Sequence, residues 1–174
     1  QVAVAMQNAR LFDEARQQVR QLAALTEVAQ ALNRALDLNE VLNLVLDAVF
    51  DLVGPIQGSI WLVDNYTNTV KIANTKNISD FLVELFNESA ISVDTEPFAS
   101  VIQSGEVFVI EGSTSQKDDI AQYGLPSFPD DVTYVPLKTE QGVIGILAIE
   151  TVIHSGNMLQ LVTTLADLAA IAID

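Results

Sequence analysis

The chain of 174 residues has no cysteine and a single histidine, and these two counts bound its chemistry first. Without a thiol there is no disulfide, no thiolate nucleophile, no thiolate metal site and no anchor for a thioether-linked chromophore. His154 falls in a turn before the last helical stretch, where a solvated side chain is the better reading than a haem or metal ligand. Asp118-Asp119 and Asp130-Asp131 have the oxygen donors for a divalent cation, but in so acidic a chain they read as a solvated loop. No nucleophile stands at a useful spacing from a base, and no glycine-rich loop is placed to cradle a phosphate. The residues predict neither a metal site nor catalysis within this chain.

What remains for recognition is largely aromatic. Trp61, Phe81, Phe86, Phe98, Ile102, Tyr123 and Tyr134 are the candidates for lining a small-molecule pocket beneath the polar segment 111–131. Core packing is the alternative for each of them, and both readings stand at this point. A ligand here would be held noncovalently, and would be neutral or modestly negative. Beyond Arg34 the cations are Lys71, Lys76, Lys117 and Lys138 alone. The segment itself carries Gly112, Gly124, Pro126 and Pro129, with at most one helical turn around Ile120. A loop that long inside a domain is uncommon and often serves as a lid or binding loop, so 111–131 is expected to be its least ordered part.

Eight Lys and Arg stand against 23 Asp and Glu, a net charge of −15. Such a surface repels phosphate backbones and anionic lipid, which argues against nucleic acid and direct membrane contact. Hydrophobic residues make up 49% of the chain, enough for a sizeable core. No run approaches the roughly 18 apolar residues of a membrane span and the start is not a signal peptide, so a cytoplasmic location is expected. A first residue Gln implies a fragment of a longer chain.

The elements that would position these side chains are written in the apolar spacing. Val2 to about Leu36 has no Gly or Pro and predicts one helix far longer than a globular domain needs. Asp37 or Asn39 can cap a second helix over 40–53, which Gly54-Pro55 stops. Ser59–Val63 reads as a strand buried on both faces, and 69–74 as its hairpin partner. Residues 80–87 predict a helix capped by Ser79, with Phe81, Leu82, Leu85 and Phe86 on one face. A short edge strand over 90–93 follows, then a helix that Pro97 starts and Gly105 ends, then a strand over 107–110. Residues 132–138 and 143–150 make a second hairpin, and 156–173 a last helix with Met158, Leu161, Leu165, Leu168 and Ala172 on one stripe.

That second hairpin, Val135-Pro136-Leu137, a turn ending in Gly142, then Val143–Ile149, resembles the closing hairpin of a GAF domain. The resemblance extends to Gly58–Asp64, Ser104–Ile110 and Leu165–Ile173, in the expected order from about Leu22 to the C-terminus. It implies an α+β fold of the GAF/PAS-like (profilin-like) kind. An antiparallel sheet of five or six strands would carry helices on both faces, a long N-terminal signalling helix and a small-molecule pocket opposite the terminal helices. It also implies a regulatory sensor module of a signalling protein such as a sensor histidine kinase, phytochrome-like protein or nucleotide cyclase. A ligand-free dimerisation and relay module is the alternative. Members that hold a bilin covalently or reduce methionine sulfoxide use cysteines, so no covalent bilin is expected here. The cyclic-nucleotide branch carries an Asn-Lys-Phe-Asp-Glu type motif, of which Thr75-Lys76-Asn77 is only a scrap.

The ends of the chain extend that reading. Val2–Gln7 resembles Ala169–Asp174, and Asn8–Phe12 resembles the segment that follows a GAF domain's last helix. Residues 1–21 are therefore expected to be a connecting, coiled-coil helix from a preceding domain, and 22–174 the GAF domain. Phe12, Ala15, Val19 and Leu22 form one apolar run and Leu22, Leu25, Ala29, Leu32 and Leu36 a second, meeting at Leu22 in a stammer. The first run predicts a parallel contact with a second copy, joined by Leu161, Leu165 and Leu168 of the last helix. For the second run, packing on its own domain and a dimer contact are equally open.

Overall fold

The computed structural model describes residues 2–32, 34–35, 37–112 and 131–173. The expected loop over 111–131, with Tyr123, Lys117, Ile120, the pair Asp118-Asp119 and Asp130, lies outside the described residues apart from Glu111, Gly112 and Asp131.

Helix α1 (Val2–Leu32) is unbroken, a rod of roughly 45 Å at about 1.5 Å per residue. Its side chains from Ala3 to Arg20 are exposed, and only from Gln21 do some turn inward; Leu25, Val28 and Leu32 pack on the domain. The change comes where the apolar spacing slips at Leu22. The helix runs to Leu32, short of the expected end near Leu36; beyond it the Arg34 amide makes a tighter i→i−3 bond to the Ala31 carbonyl at 3.0 Å, and Ala35 is no longer helical. Asp37 then starts α2 (Leu38–Val53), accepting the Glu40 amide at 2.8 Å as a helix cap. Val41, Leu42, Val45, Leu46, Val49 and Phe50 of α2 are buried in one stripe at helical spacing.

The sheet is six-stranded and antiparallel throughout, in the order β3-β2-β1-β6-β5-β4. Its strands are β1 (Gly58–Asp64), β2 (Thr69–Lys76), β3 (Ile91–Ser92), β4 (Phe108–Ile110), β5 (Val132–Thr139) and β6 (Gly142–Ile149). Between them lie α3 (Asp80–Glu88) and α4 (Phe98–Ser104), and α5 (Gly156–Ile173) closes the chain. Gly105 ends α4 in the left-handed conformation, φ 64°, its amide bonding Val101 O at 2.9 Å. Ser79 stands at the N-cap of α3, but its hydroxyl makes no capping bond.

Alternation along the central strands feeds two separate cores. Ile60, Val135, Leu137, Leu147 and Ile149 face α1, α2 and α5, where Val162, Leu165, Ala166, Ala169 and Ala170 lie against them. Trp61, Val132, Tyr134, Ile146 and Ala148 face the other way, onto Phe98 and Val101 of α4. The inward face of α5 is mostly alanine, which lets that helix approach the sheet closely. By length and composition alone α5 is long and apolar enough to cross a membrane; in the domain one face of it, with five buried residues, packs on the core.

β6 is held so tightly between its neighbours that Gly145 has no space for a side chain. A Cβ there would lie 2.6 Å from the Trp61 carbonyl oxygen, 2.9 Å from Leu62 Cδ2 and 3.0 Å from Leu137 Cδ1. Backbone on one side leaves little to yield. Gly145→Ala is therefore expected to destabilise the domain by about 1–3 kcal/mol, read as a lowered denaturation midpoint. An unchanged midpoint would show that β1 and β5 are not clamped on β6 as described.

Candidate functional site

The face of the sheet opposite the terminal helices carries the candidate site, built in rows across the strands. Ser59 of β1 and Tyr134 of β5 both pair with Ala148 of β6, and Phe108 of β4 pairs with Tyr134. One row therefore reads Ser59, Ala148, Tyr134, Phe108. Trp61 stands in the next row opposite Ile146. The indole Nε1 of Trp61 donates to Ser59 Oγ at 2.8 Å, which satisfies the only polar atom of that ring. The Trp61 ring meets Phe86 edge-on, with centroids 5.3 Å apart, and Phe98 at 4.9 Å; Phe98 in turn meets Tyr134 at 6.3 Å.

Five of the seven proposed lining residues are thus brought together: Trp61, Phe86, Phe98, Ile102 and Tyr134 share this face. Trp61, Phe98 and Tyr134 are buried, while Phe86 and Ile102 pack against them from α3 and α4. Phe81 is not among them. It is 71% exposed, and no residue of α3 is buried, because that short helix lies against β2 beside the edge of the sheet and only part of its apolar face finds cover. Tyr123 lies outside the described residues.

One polar atom of this face is unsatisfied. The Tyr134 hydroxyl is buried and has no hydrogen-bond partner among the described residues. Burial pushes its pKa well above the usual phenol value, and the nearby Glu150 carboxylate adds to the shift. Glu150 follows β6, two residues past Ala148, half-buried; burial raises its pKa too. Ser59 and Glu150 were not singled out from the sequence. The available signal was period two: Ser59 lies two before Trp61 on the same side of β1, whereas Glu150 lies two after Ala148, just past the end of β6.

The described lysines pair away from this cluster. Lys71 reaches Asp64 at 3.5 Å, Lys76 pairs with Asp47 of α2, and Lys138 donates to the Gly105 carbonyl at 2.7 Å. His154 is exposed in the turn before α5. Among the described residues no group of three or more His, Asp or Glu side chains converges as a metal site would require.

The GAF-domain family model matches residues 35–174. The chain belongs to the GAF family. Similar solved structures include the GAF domain of an Acinetobacter phosphoenolpyruvate-protein phosphotransferase, with 19% identity and a TM-score of 0.72 over 88% of this chain and 92% of that one. The GAF domain of a putative sensor histidine kinase from Pseudomonas syringae pv. tomato matches with 16% identity and a TM-score of 0.60, covering 91% and 88%. An enzyme shares the fold as well: free methionine-R-sulfoxide reductase from Neisseria meningitidis, solved with its substrate, matches with 15% identity and a TM-score of 0.64 over 86% of each chain. At these identities the likeness is one of fold. A strychnine O-methyltransferase from Strychnos nux-vomica is 42% identical over 66 residues, 34% of this chain. The GAF chain spans only 18% of that protein's length.

The expected dimer surface is helical. Phe12, Val19 and Leu22 are each more than 60% exposed, and Ala15 lies between them in the same exposed stripe of α1. On α5, Leu161 and Leu168 are half-buried, whereas Leu165 is 1% exposed and belongs to the domain's own core. A partner meeting this face would therefore touch α5 at Leu161 and Leu168 but not at Leu165. Beside them a groove of about 370 Å³ runs between α1, α2 and α5, lined by Leu25, Val28, Leu44, Ala48 and Leu161 and edged by Asp47 and Asp51.

Burial of Glu150 has a pH signature. Its raised pKa means the folded state holds the proton longer, so stability is full below the unfolded pKa and falls as pH rises through the folded one. Glu150→Gln removes the buried charge. The variant is expected to be more stable than the parent at pH 7 and indistinguishable from it near pH 4, by thermal unfolding at both. Equal stability at pH 7 would mean the carboxylate is fully hydrated.

Proposed function

We propose that this GAF domain is a regulatory sensor module: it holds a small molecule noncovalently on the aromatic face of its sheet and passes the binding event to helices α1 and α5 of a homodimer. The buried, unpartnered Tyr134 hydroxyl is the observation that carries the ligand half of this reading. A neutral donor shut away from water costs on the order of 1–3 kcal/mol, a cost that a binding site recovers when its ligand arrives. The GAF domain of a putative sensor histidine kinase among the similar structures supports the regulatory context. The absence of any thiol keeps the proposed ligand noncovalent.

The relay half rests on α1. Its first 20 residues or so would connect to a preceding domain, with the sensing unit proper beginning near Leu22. Leaving Phe12, Val19 and Leu22 in water forgoes about 1.5–3 kcal/mol each relative to full burial, and a second copy packed along the stripe recovers part of that. The alternative, a ligand-free dimerisation and relay module, is favoured by the close packing of Trp61, Phe98 and Tyr134, which are 3%, 0% and 1% exposed. Catalysis is not part of either proposal.

Native mass spectrometry of the domain purified from its source separates the two readings. The sensor reading expects a retained small molecule released on denaturation without a covalent adduct; a protein of bare sequence mass, unshifted by a broad metabolite library, supports the ligand-free relay instead. For the dimer, Val19→Glu with Leu22→Glu is expected to give folded monomers by sedimentation. A monomer before substitution, or an unchanged dimer after it, would overturn the α1 interface.

A further inference from the structure

The groove of about 370 Å³ between α1, α2 and α5 lies in the helix layer, away from the aromatic cluster. Leu25 and Val28 of α1, Leu44 and Ala48 of α2 and Leu161 of α5 give it apolar walls. Its charged lining residues are all acidic: Glu27, Asp47 and Asp51, each exposed. Asp47 shares Lys76, whereas Glu27 and Asp51 take part in no ion pair among the described residues. At about 3.6 residues per turn, the stripe Phe12, Ala15, Val19, Leu22 and the groove residues Ala24, Glu27 and Ala31 fall on roughly opposite sides of α1. A second copy packed along the stripe would leave the groove uncovered. The volume also bears on what fills it. A helix is about 10 Å across and rises about 1.5 Å per residue, so the groove would hold roughly two or three residues of one. It is instead within the range of a small-molecule site between helices.

We infer that this groove binds a small amphiphile with one cationic end, an alkyl or aryl amine: its apolar body lies between α1 and α2, and its ammonium group meets Glu27 and Asp51 at the rim. The site is separate from the aromatic face and stands or falls independently of the sensor reading. The apolar walls would accept any hydrocarbon body. The choice of a cation comes from the rim, where an ammonium N–H donates charge-assisted hydrogen bonds to carboxylates. The net charge of −15 acts in the same direction, drawing cations to the surface and repelling a fatty carboxylate. Leu25, Val28 and Leu32 hold α1 on the domain. An occupant wedged between α1 and α2 therefore acts directly on the seating of α1, the helix whose exposed half extends beyond the core.

Three probes of one chain length test this by ligand-observed NMR at pH 7 and low salt: octylammonium, 1-octanol and octanoate. Octylammonium is expected to bind about tenfold more tightly than octanoate, with octanol between them, and the preference is expected to shrink as salt is added. Glu27→Gln with Asp51→Asn should lose about tenfold for octylammonium and leave octanol unchanged. Ala24 is exposed and lines the groove, so Ala24→Phe fills it from the surface without entering the core and should abolish binding of both. Glu84→Gln with Glu88→Gln removes the same charge from exposed positions on α3 and should change nothing. No binding of octylammonium, octanoate binding as tightly, or binding untouched by Ala24→Phe would overturn the inference. An equal loss in the α3 variant would overturn it too, by showing attraction to the net charge alone. If Ala24→Phe abolishes self-association in sedimentation, a second copy occupies the groove and the amine site falls.

Discussion

Everything in this domain depends on β6 lying flush between β1 and β5. The strand is central by register: Gly145 pairs with Leu62 on one side and with Leu137 on the other. The lack of a side chain at Gly145 lets the Trp61 carbonyl and the Leu137 side chain close over it. That approach fixes the register, and the register decides everything on both faces. A slip of one residue would turn Leu147 and Ile149 away from the helices and drive Ile146 and Ala148 out of the aromatic cluster. The three strands thus act as one wall with a core on each side.

The two cores differ in kind. The helical core is aliphatic, broad and covered by α2 and the alanine face of α5, and it supplies most of the hydrophobic stabilisation. The opposite core is smaller and aromatic, covered by the short α3 and α4 and carrying the buried polar groups Ser59 and Tyr134. Buried polarity costs stability wherever it is incompletely paired. The division leaves most of the stability on one face and would free the other for the proposed recognition. Because strand residues alternate between them, a side chain displaced on the aromatic face shifts its strand neighbours against α2 and α5, the helix layer on which α1 packs. That is the physical content of the proposed relay.

Much of this was legible in the residues. Short apolar runs bounded by turns located the central strands, since a strand buried on both faces has no room for polar alternation. Asp37 and Gly105 marked their helix ends through geometry that few other residues serve as well. Helix periodicity was less informative where cover is set by tertiary position. Phe81 shares a helical face with Leu85, but α3 lies beside the sheet's edge and leaves Phe81 exposed. On α5 the leucine stripe and the alanine stripe both have helical spacing, and only the closeness of the sheet decides that Ala166, Ala169 and Ala170 go inward together with Leu165. Ser59 and Glu150 had no compositional signal; their position follows from a register that no single strand specifies by itself.

The claim that one three-stranded wall couples both faces is tested most directly by native-state hydrogen exchange of the free domain. If the wall is a unit, the amides of Ile60, Trp61, Tyr134, Val135, Ile146 and Leu147 should exchange only through global unfolding, with one common opening free energy equal to that from denaturant unfolding. Residues facing the helices and residues facing the aromatic cluster would then be indistinguishable. Two separated opening energies, one for residues of each face or one for each strand, would contradict the account, because faces that open independently cannot pass a signal through the sheet.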